Sequence, residues 1–206
     1  MTTASQDARS RLLEAALKVI RTKGYTATRV EEICAEAGLS KGAFFHHFAS
    51  KEELAVEAAA YWSERTGSFF RAAPYHAHRD PLDRVLGYID FRRSILRGEV
   101  PQFTCLVGTM VQEAYATSPA IREACERSIS GHAAEVAKDI ALAKRRYAPR
   151  ASWSAEGLAL HTQAVLQGAF ILAKARNGPR LAEESVDHLR RYVELLFNRS
   201  QSKEKS

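Results

Sequence analysis

Cysteine is scarce in this chain of 206 residues: Cys34, Cys105 and Cys125 are odd in number and far apart. That leaves neither a disulfide framework nor a C-x-x-C metal site, and it fits a reducing compartment. No stretch approaches the roughly 18 uninterrupted apolar residues of a membrane span. The start from Met1 to Asp7 is polar and lacks the basic, apolar and small-residue order of a secretory leader. The expectation is a cytoplasmic protein with no membrane partner. Strict apolar/polar alternation and β-branched runs are also missing, which argues against sheets. There is no Gly-rich phosphate loop, no Ser/His/Asp constellation and no metal-ligand spacing beyond the loop pair His76 and His78. Neither an enzyme nor a bound cofactor is expected.

What is present is enough apolar material, 46% of the residues, for one sizeable core with a small head. The formal charge of +6 suits a polyanionic partner. The excess is not concentrated at the start, because the first 52 residues hold eight Lys/Arg against six Asp/Glu. Much of it lies in Arg92, Arg93 and Arg97 and in the run Lys144, Arg145, Arg146, Arg150.

The periodicity predicts an all-α protein of about nine helices. A first helix over Asp7–Lys23 carries Leu12, Ala15, Ala16, Val19 and Ile20 at helical spacing and stops at Gly24. Thr28 and Glu31 form a capping-box pattern that opens a second helix, which Gly38 breaks; Ser40 then caps a very short third helix over Lys41–His47. Ser50 and Glu53 repeat the box and open a long fourth helix towards Phe70. Ala72–Arg79, with Pro74, reads as a loop, and Asp80-Pro81 as a helix start. Further helices are expected near Leu82–Leu96, Phe103–Ala116, Pro119–Tyr147, Ala155–Arg176 and Leu181–Arg199, with a frayed polar tail after Asn198.

The informative segment runs from Thr28 to Leu54. Two short helices joined by a Gly-containing turn bury little alone, so the first helix must fix their geometry. In a DNA-binding helix-turn-helix the second of the pair enters the major groove, and its N-terminal residues meet base edges. Here those residues are Ser40, Lys41, Gly42, Ala43 and Phe44. Phe44 and Phe48 are expected to pack the small core, and Thr28 alone also reads as a plain cap.

In order and spacing the segment resembles the signature of TetR-family regulators: a capping Thr, an apolar helix, an Ala-Gly turn, a Ser, a short recognition helix rich in small residues, an aromatic, His-Phe, then Ser-Lys-Glu-x-Leu. Beyond the first fifty-odd residues the resemblance is architectural. It implies that Thr28 and Arg29 contact phosphate or a nearby base, that Lys41 reads a base, guanine by the reach of lysine to O6 and N7, and that His47 and Lys51 hold phosphate. Gly42 and Ala43 would admit the groove. Two positions depart from the pattern. Phe45 lacks the usual hydroxyl, so that His46 could donate to phosphate instead, and Ala43 replaces a small hydroxyl residue, which favours contact with a thymine methyl.

One recognition helix reads few base pairs, so the expectation is a homodimer on a double-stranded palindromic operator. The last two helices are the expected interface, through the stripe Val186, Leu189, Val193, Leu196 and Phe197 and the small residues Gly168, Ala169, Ala173 and Ala175; the same stripes could instead pack within the subunit. The resemblance further implies a small-molecule inducer in the body, with candidates Phe91, Phe103, Met110, Gln112, Tyr115, His161, Gln167 and Phe170. The run Phe103-Thr-Cys-Leu-Val-Gly is similar to the helix start of repressors of the N-ethylmaleimide-responsive type, which implies electrophile or oxidant sensing at Cys105 with Lys174 near the sulfur. A lone cysteine within a helix is more often a small buried hydrophobe, and Cys105 reads first as that. The expected plan is a DNA-binding domain over residues 1–52 and a ligand-binding and dimerisation domain over 53–206. The function read from the sequence is a TetR-type regulator, a repressor released by ligand or electrophile. The alternative is a small-molecule-binding helical protein without operator binding.

Overall fold

The structure, a computed structural model, describes residues 3–199; the polar tail beyond Arg199 lies outside the described residues. Ten α-helices and no strand run through them: α1 Thr3–Lys23, α2 Val30–Ala37, α3 Lys41–His47, α4 Lys51–Arg71, α5 Pro81–Ser94, α6 Val100–Phe103, α7 Leu106–Ala114, α8 Pro119–Tyr147, α9 Ala155–Arg176 and α10 Arg180–Leu196. The all-α expectation holds with one helix more than the nine predicted. The stretch expected as a single helix over Phe103–Ala116 is broken at Thr104-Cys105. Cys105 is extended, and its sulfur accepts the Gly108 N–H at 3.4 Å, so it caps α7 instead of continuing α6. The loop expected over Ala72–Arg79 holds a short 3₁₀ turn at Pro74–Ala77.

The described residues fold as two compact units: those up to Gly67 together with Thr104–Ile129, and Ser68–Phe103 together with those from Ser130 onward. In the first unit, Leu12, Ala16 and Ile20 of α1 stack at helical spacing against Ile33 and Cys34 of α2, Phe44, Phe48, Leu54 and Ala58. Leu106, Val107 and Met110 of α7 and Ile121 and Cys125 of α8 join the same core. Removing so much apolar surface from water, at roughly 25 cal/mol per Å², is what lets helices as short as α2 and α3 persist.

In the second unit, α10 packs on α9 and on α5. Asp80 caps α5 by accepting the Leu82 N–H at 2.8 Å, with Pro81 at the first helical position. Val85, Leu86 and Ile89 of α5, Leu166 and Phe170 of α9, and Val186, Leu189 and Val193 of α10 are buried. Trp153 closes edge-on against Phe197. Three arginine–carboxylate pairs stitch the helices: Arg84–Asp139, Arg93–Asp187 and Arg190–Asp90, each at 2.7 Å. The α10 stripe named above is therefore mostly spent inside the subunit: Val186, Leu189, Val193 and Phe197 are buried, as are Ala169 and Ala173. A different apolar face is left outward, formed by Leu160, Ile171 and Leu172 of α9 and Tyr192 and Leu195 of α10.

Candidate nucleic-acid interface

The turn between α2 and α3 is built from its backbone outward. Gly38 ends α2 with φ 63°, in the left-handed region that a β-carbon disfavours, and Leu39 N–H closes on the Cys34 carbonyl at 2.9 Å. Arg11 of α1 donates to the Ala37 carbonyl at 2.6 Å, tying the end of α2 to the first helix. Ser40 then caps α3 by accepting the Ala43 N–H at 3.1 Å. Phe44 and Phe48, both essentially unexposed, pack at 5.7 Å between centroids and hold the inner face of α3 in the core.

The opposite face is consequently turned to solvent. Lys41, Gly42, Phe45 and His46 are exposed; Ala43 and His47 are half-buried. Phe45 is 57% exposed, an unusual placement for a large ring, and meets Phe44 edge-on at 5.1 Å. The Lys41 ammonium pairs with the Glu31 carboxylate of α2, which that hydrogen bond holds below the usual carboxylate range. His47 is depressed by burial, by His46 and by Arg9. A β-carbon at Gly42 would meet nothing nearer than the Ser40 hydroxyl at 3.6 Å, so the fold has no steric need for glycine there.

The remaining predicted contacts fall differently. Thr28 is buried, and its hydroxyl donates to the Gly24 carbonyl at 2.6 Å instead of capping α2. The expected Thr28–Glu31 box is thus replaced by half a box that begins a residue later: Arg29 is the N-cap, its side chain caps nothing, and its N–H is accepted by Glu32 at 2.9 Å. The Arg29 residue itself is exposed. Lys51 donates to the carbonyls of Tyr25 at 3.1 Å and Thr28 at 2.9 Å and lies over the Tyr25 ring. At α4, Ser50 accepts the Glu53 N–H at 3.0 Å as expected, while Glu53 reaches back to the Ala49 N–H.

Sequence reasoning missed the group that holds the link between α1 and α2. Glu113, on α7, accepts the Thr26 N–H at 2.8 Å, and its carboxylate lies against the α-carbon of Gly24. Ser118, just after α7, donates to Glu52 at the start of α4. No local pattern announces contacts made across 87 and 66 residues of chain.

The predicted ligand residues divide between the units. Phe91, Phe103 and Phe170 lie in the second unit, where Phe91 joins Phe69, Phe70, Tyr75, Tyr88 and His132 in one aromatic cluster, and Phe103 faces Phe170 at 6.5 Å. Cys105, Met110, Gln112 and Tyr115 lie in the first. There Met110 is fully buried in the core, the Gln112 side chain donates to the Gly108 carbonyl of its own helix, and Tyr115 is 61% exposed. His161 sits beside Tyr192 at 5.1 Å; Gln167 is half-buried and Lys174 exposed, both on α9. Cys105 is half-buried, and the cation coupled to it in its own unit is Arg21, whereas Lys174 belongs to the other unit. Burial, with Cys105 next, pushes the Cys125 thiol up to about 12. Among the described residues no cluster of His, Cys, Asp and Glu could hold a metal ion, and no helix is long and apolar enough to cross a membrane.

Two family models match in tandem: bacterial regulatory proteins of the tetR family over residues 12–58, and the C-terminal domain of LmrA/YxaF-like transcriptional regulators over residues 81–181. The HTH-type transcriptional regulator YerO of Bacillus subtilis is 41% identical over 54 residues, which are 26% of this chain and 19% of YerO. The regulator LmrA of the same species is 29% identical over 130 residues, 59% of this chain and 65% of LmrA. The chain thus spans about a fifth of the length of YerO and just under two thirds of that of LmrA. A TetR transcriptional regulator from Chloroflexus aurantiacus superposes with a TM-score of 0.81 at 27% identity, covering 93% of this chain and 96% of its own.

Proposed function

Because the chain belongs to the TetR family of helix-turn-helix transcriptional regulators, with an LmrA/YxaF-like C-terminal domain, we propose that it is a repressor. In this reading it grips a palindromic operator as a homodimer and releases it when a small molecule or an electrophile engages the body. Residues 1–52 bind DNA, and residues 53–206 serve ligand binding and dimerisation. The reading rests on one observation above all: α3 turns Lys41, Gly42, Phe45 and His46 outward from a frame that Phe44 and Phe48 lock in place.

Lys41 reads guanine by leaving Glu31. Both partners of that pair are more than half exposed, so the exchange costs little. Gly42 and Ala43 let the groove approach, Ala43 meeting a thymine methyl, while Arg29 and His46 donate to phosphate. The Ser40 hydroxyl, already accepting an N–H, still has its own proton to donate. Thr28 and Lys51 act from behind the interface, because their polar groups bond the carbonyls of the α1–α2 link and so set the angle of the helix pair.

Dimerisation is supported by the outward apolar face of Leu160, Ile171, Leu172, Tyr192 and Leu195, with open space over Gly168 between them. For release by an electrophile, α7 supplies a rigid connection within the first unit. Cys105 caps its start, and Glu113 near its other end holds the Thr26 N–H ahead of α2. Alkylation of the sulfur removes the cap and displaces that grip. Selecting bound duplexes from a random pool and sequencing them tests the reading. An inverted repeat is expected; a folded protein that enriches no sequence would favour the small-molecule-binding protein without operator binding.

A further inference from the structure

α5 carries three arginines with separate fates. Arg84 pairs with Asp139 and Arg93 with Asp187. Arg92 lies between them, half-buried, and meets no carboxylate among the described residues. Its guanidinium instead stands over two ring faces, Phe70 at 5.1 Å and Phe170 at 5.7 Å. Ring faces attract the charge but accept little from its five N–H donors, which are left for something else. Those donors are not sealed from water, because Thr104 Oγ1 is the one buried side-chain polar atom without a partner among the described residues, so an acceptor can reach them.

The polar groups close by do not supply one. Gln163 donates to the Tyr88 hydroxyl at 3.2 Å, and Tyr88 lies 2.9 Å from His132 Nε2. Burial and the Arg92 charge hold His132 down to about 4, so at neutral pH it is uncharged, with Nε2 free of a proton to accept the hydrogen bond of the Tyr88 hydroxyl. The three groups satisfy one another as a neutral chain. Around them stand packed rings: Phe70 edge-on to Phe91 at 5.7 Å, and Phe69 with Phe91 at 5.2 Å and Tyr88 with Phe70 at 5.9 Å, both tilted. Phe69 is half exposed, an edge of this cluster open to an incoming ring.

We propose that Arg92 anchors a binding site for an aromatic carboxylate, its acid group bridging the guanidinium fork and its ring lying against Phe70, Phe91 and Phe170. A cation would be repelled by Arg92, and a neutral ring would leave the fork unsatisfied. A carboxylate accepts two parallel N–H bonds in the plane that the fork presents. The assignment rests on reading the body as ligand-responsive, and it gives that ligand a chemical class.

Calorimetric titration of the full chain with benzoate and naphthoate, and with benzamide and naphthamide as neutral isosteres, tests it. The acids are expected to bind, the amides and the Arg92→Gln variant to bind on the order of tenfold to a hundredfold more weakly, and Arg92→Lys to recover part of the loss. Tyr88→Phe leaves the guanidinium untouched, so it should retain acid binding even if Arg92→Gln fails to fold. Equal binding of acids and amides, unchanged binding by a folded Arg92→Gln, or no binding of any acid overturns the assignment. If acids bind but fail to release the selected operator duplex, the site stands and the proposal of ligand-controlled release fails.

Discussion

The outward faces of α3 and α9 differ in chemistry although both helices bury mainly apolar side chains. On α3 and its C-cap the rings of Phe44 and Phe48 are inside, and Lys41, Gly42, Phe45 and His46 are outside. On α9 Leu158, Leu166 and Phe170 are inside with Thr162 and Gln163 among them, and Leu160, Ile171 and Leu172 are nevertheless outside. A surface that keeps cations on a rigid frame is suited to a polyanion, and one that keeps leucine and isoleucine in water is suited to a copy of itself. Charge is placed differently as well: the head leaves Lys41 on a solvent-exposed pair, and the body keeps Arg92 among rings.

The largest effect is expected from reversing the α9 face. Leu160→Glu with Ile171→Glu should leave each unit folded, turn a dimer into a monomer in sedimentation velocity, and cut operator affinity by about two orders of magnitude or more, because one half-site alone binds poorly. Phe44→Ala should cost about 3–5 kcal/mol in denaturant unfolding, the penalty of an emptied core position, and should abolish operator binding without touching an outward residue. His132 predicts a pH dependence in the body. Its folded value of about 4 lies below the ordinary 6.5, so the unfolded chain binds the proton first. Its contribution to stability is full above pH 6.5 and falls as pH drops towards 4, by up to about 3 kcal/mol; His132→Gln should flatten melting curves over that window. Gly42→Ala should separate stability from function: the head gains about 0.5–1 kcal/mol, since the helix loses a glycine and the space is open, while operator affinity falls as the added methyl meets the groove.

Much of the head was legible because its signals are local. Ser40 before Lys41–His47, Gly38 after α2 and the apolar spacing of α1 each act within a turn or two of chain, and α3, α8 and α9 form over the predicted ranges. Local reading failed where two local solutions compete. Glu31 and Glu32 are adjacent, and only the turning of Thr28 back to Gly24 decides that Glu32 closes the box. Apolar periodicity also runs across Thr104-Cys105, hiding the break between α6 and α7. The α10 stripe was visible as apolar, but which neighbour it meets depends on α5 and α9. The aromatic cluster around Arg92 was least legible, since its members come from α4, the 3₁₀ turn, α5, α8 and α9, and no spacing along the sequence relates them.

Parallel selections from one random duplex pool, by the wild-type chain and by Lys41→Ala, test most directly the claim that α3 is the recognition helix. Both should enrich the same inverted repeat, with the preference for one base pair in each half-site, a guanine contact, relaxed in the variant and its affinity lowered by about 1–3 kcal/mol. Identical base preferences and affinities for the two proteins would contradict it.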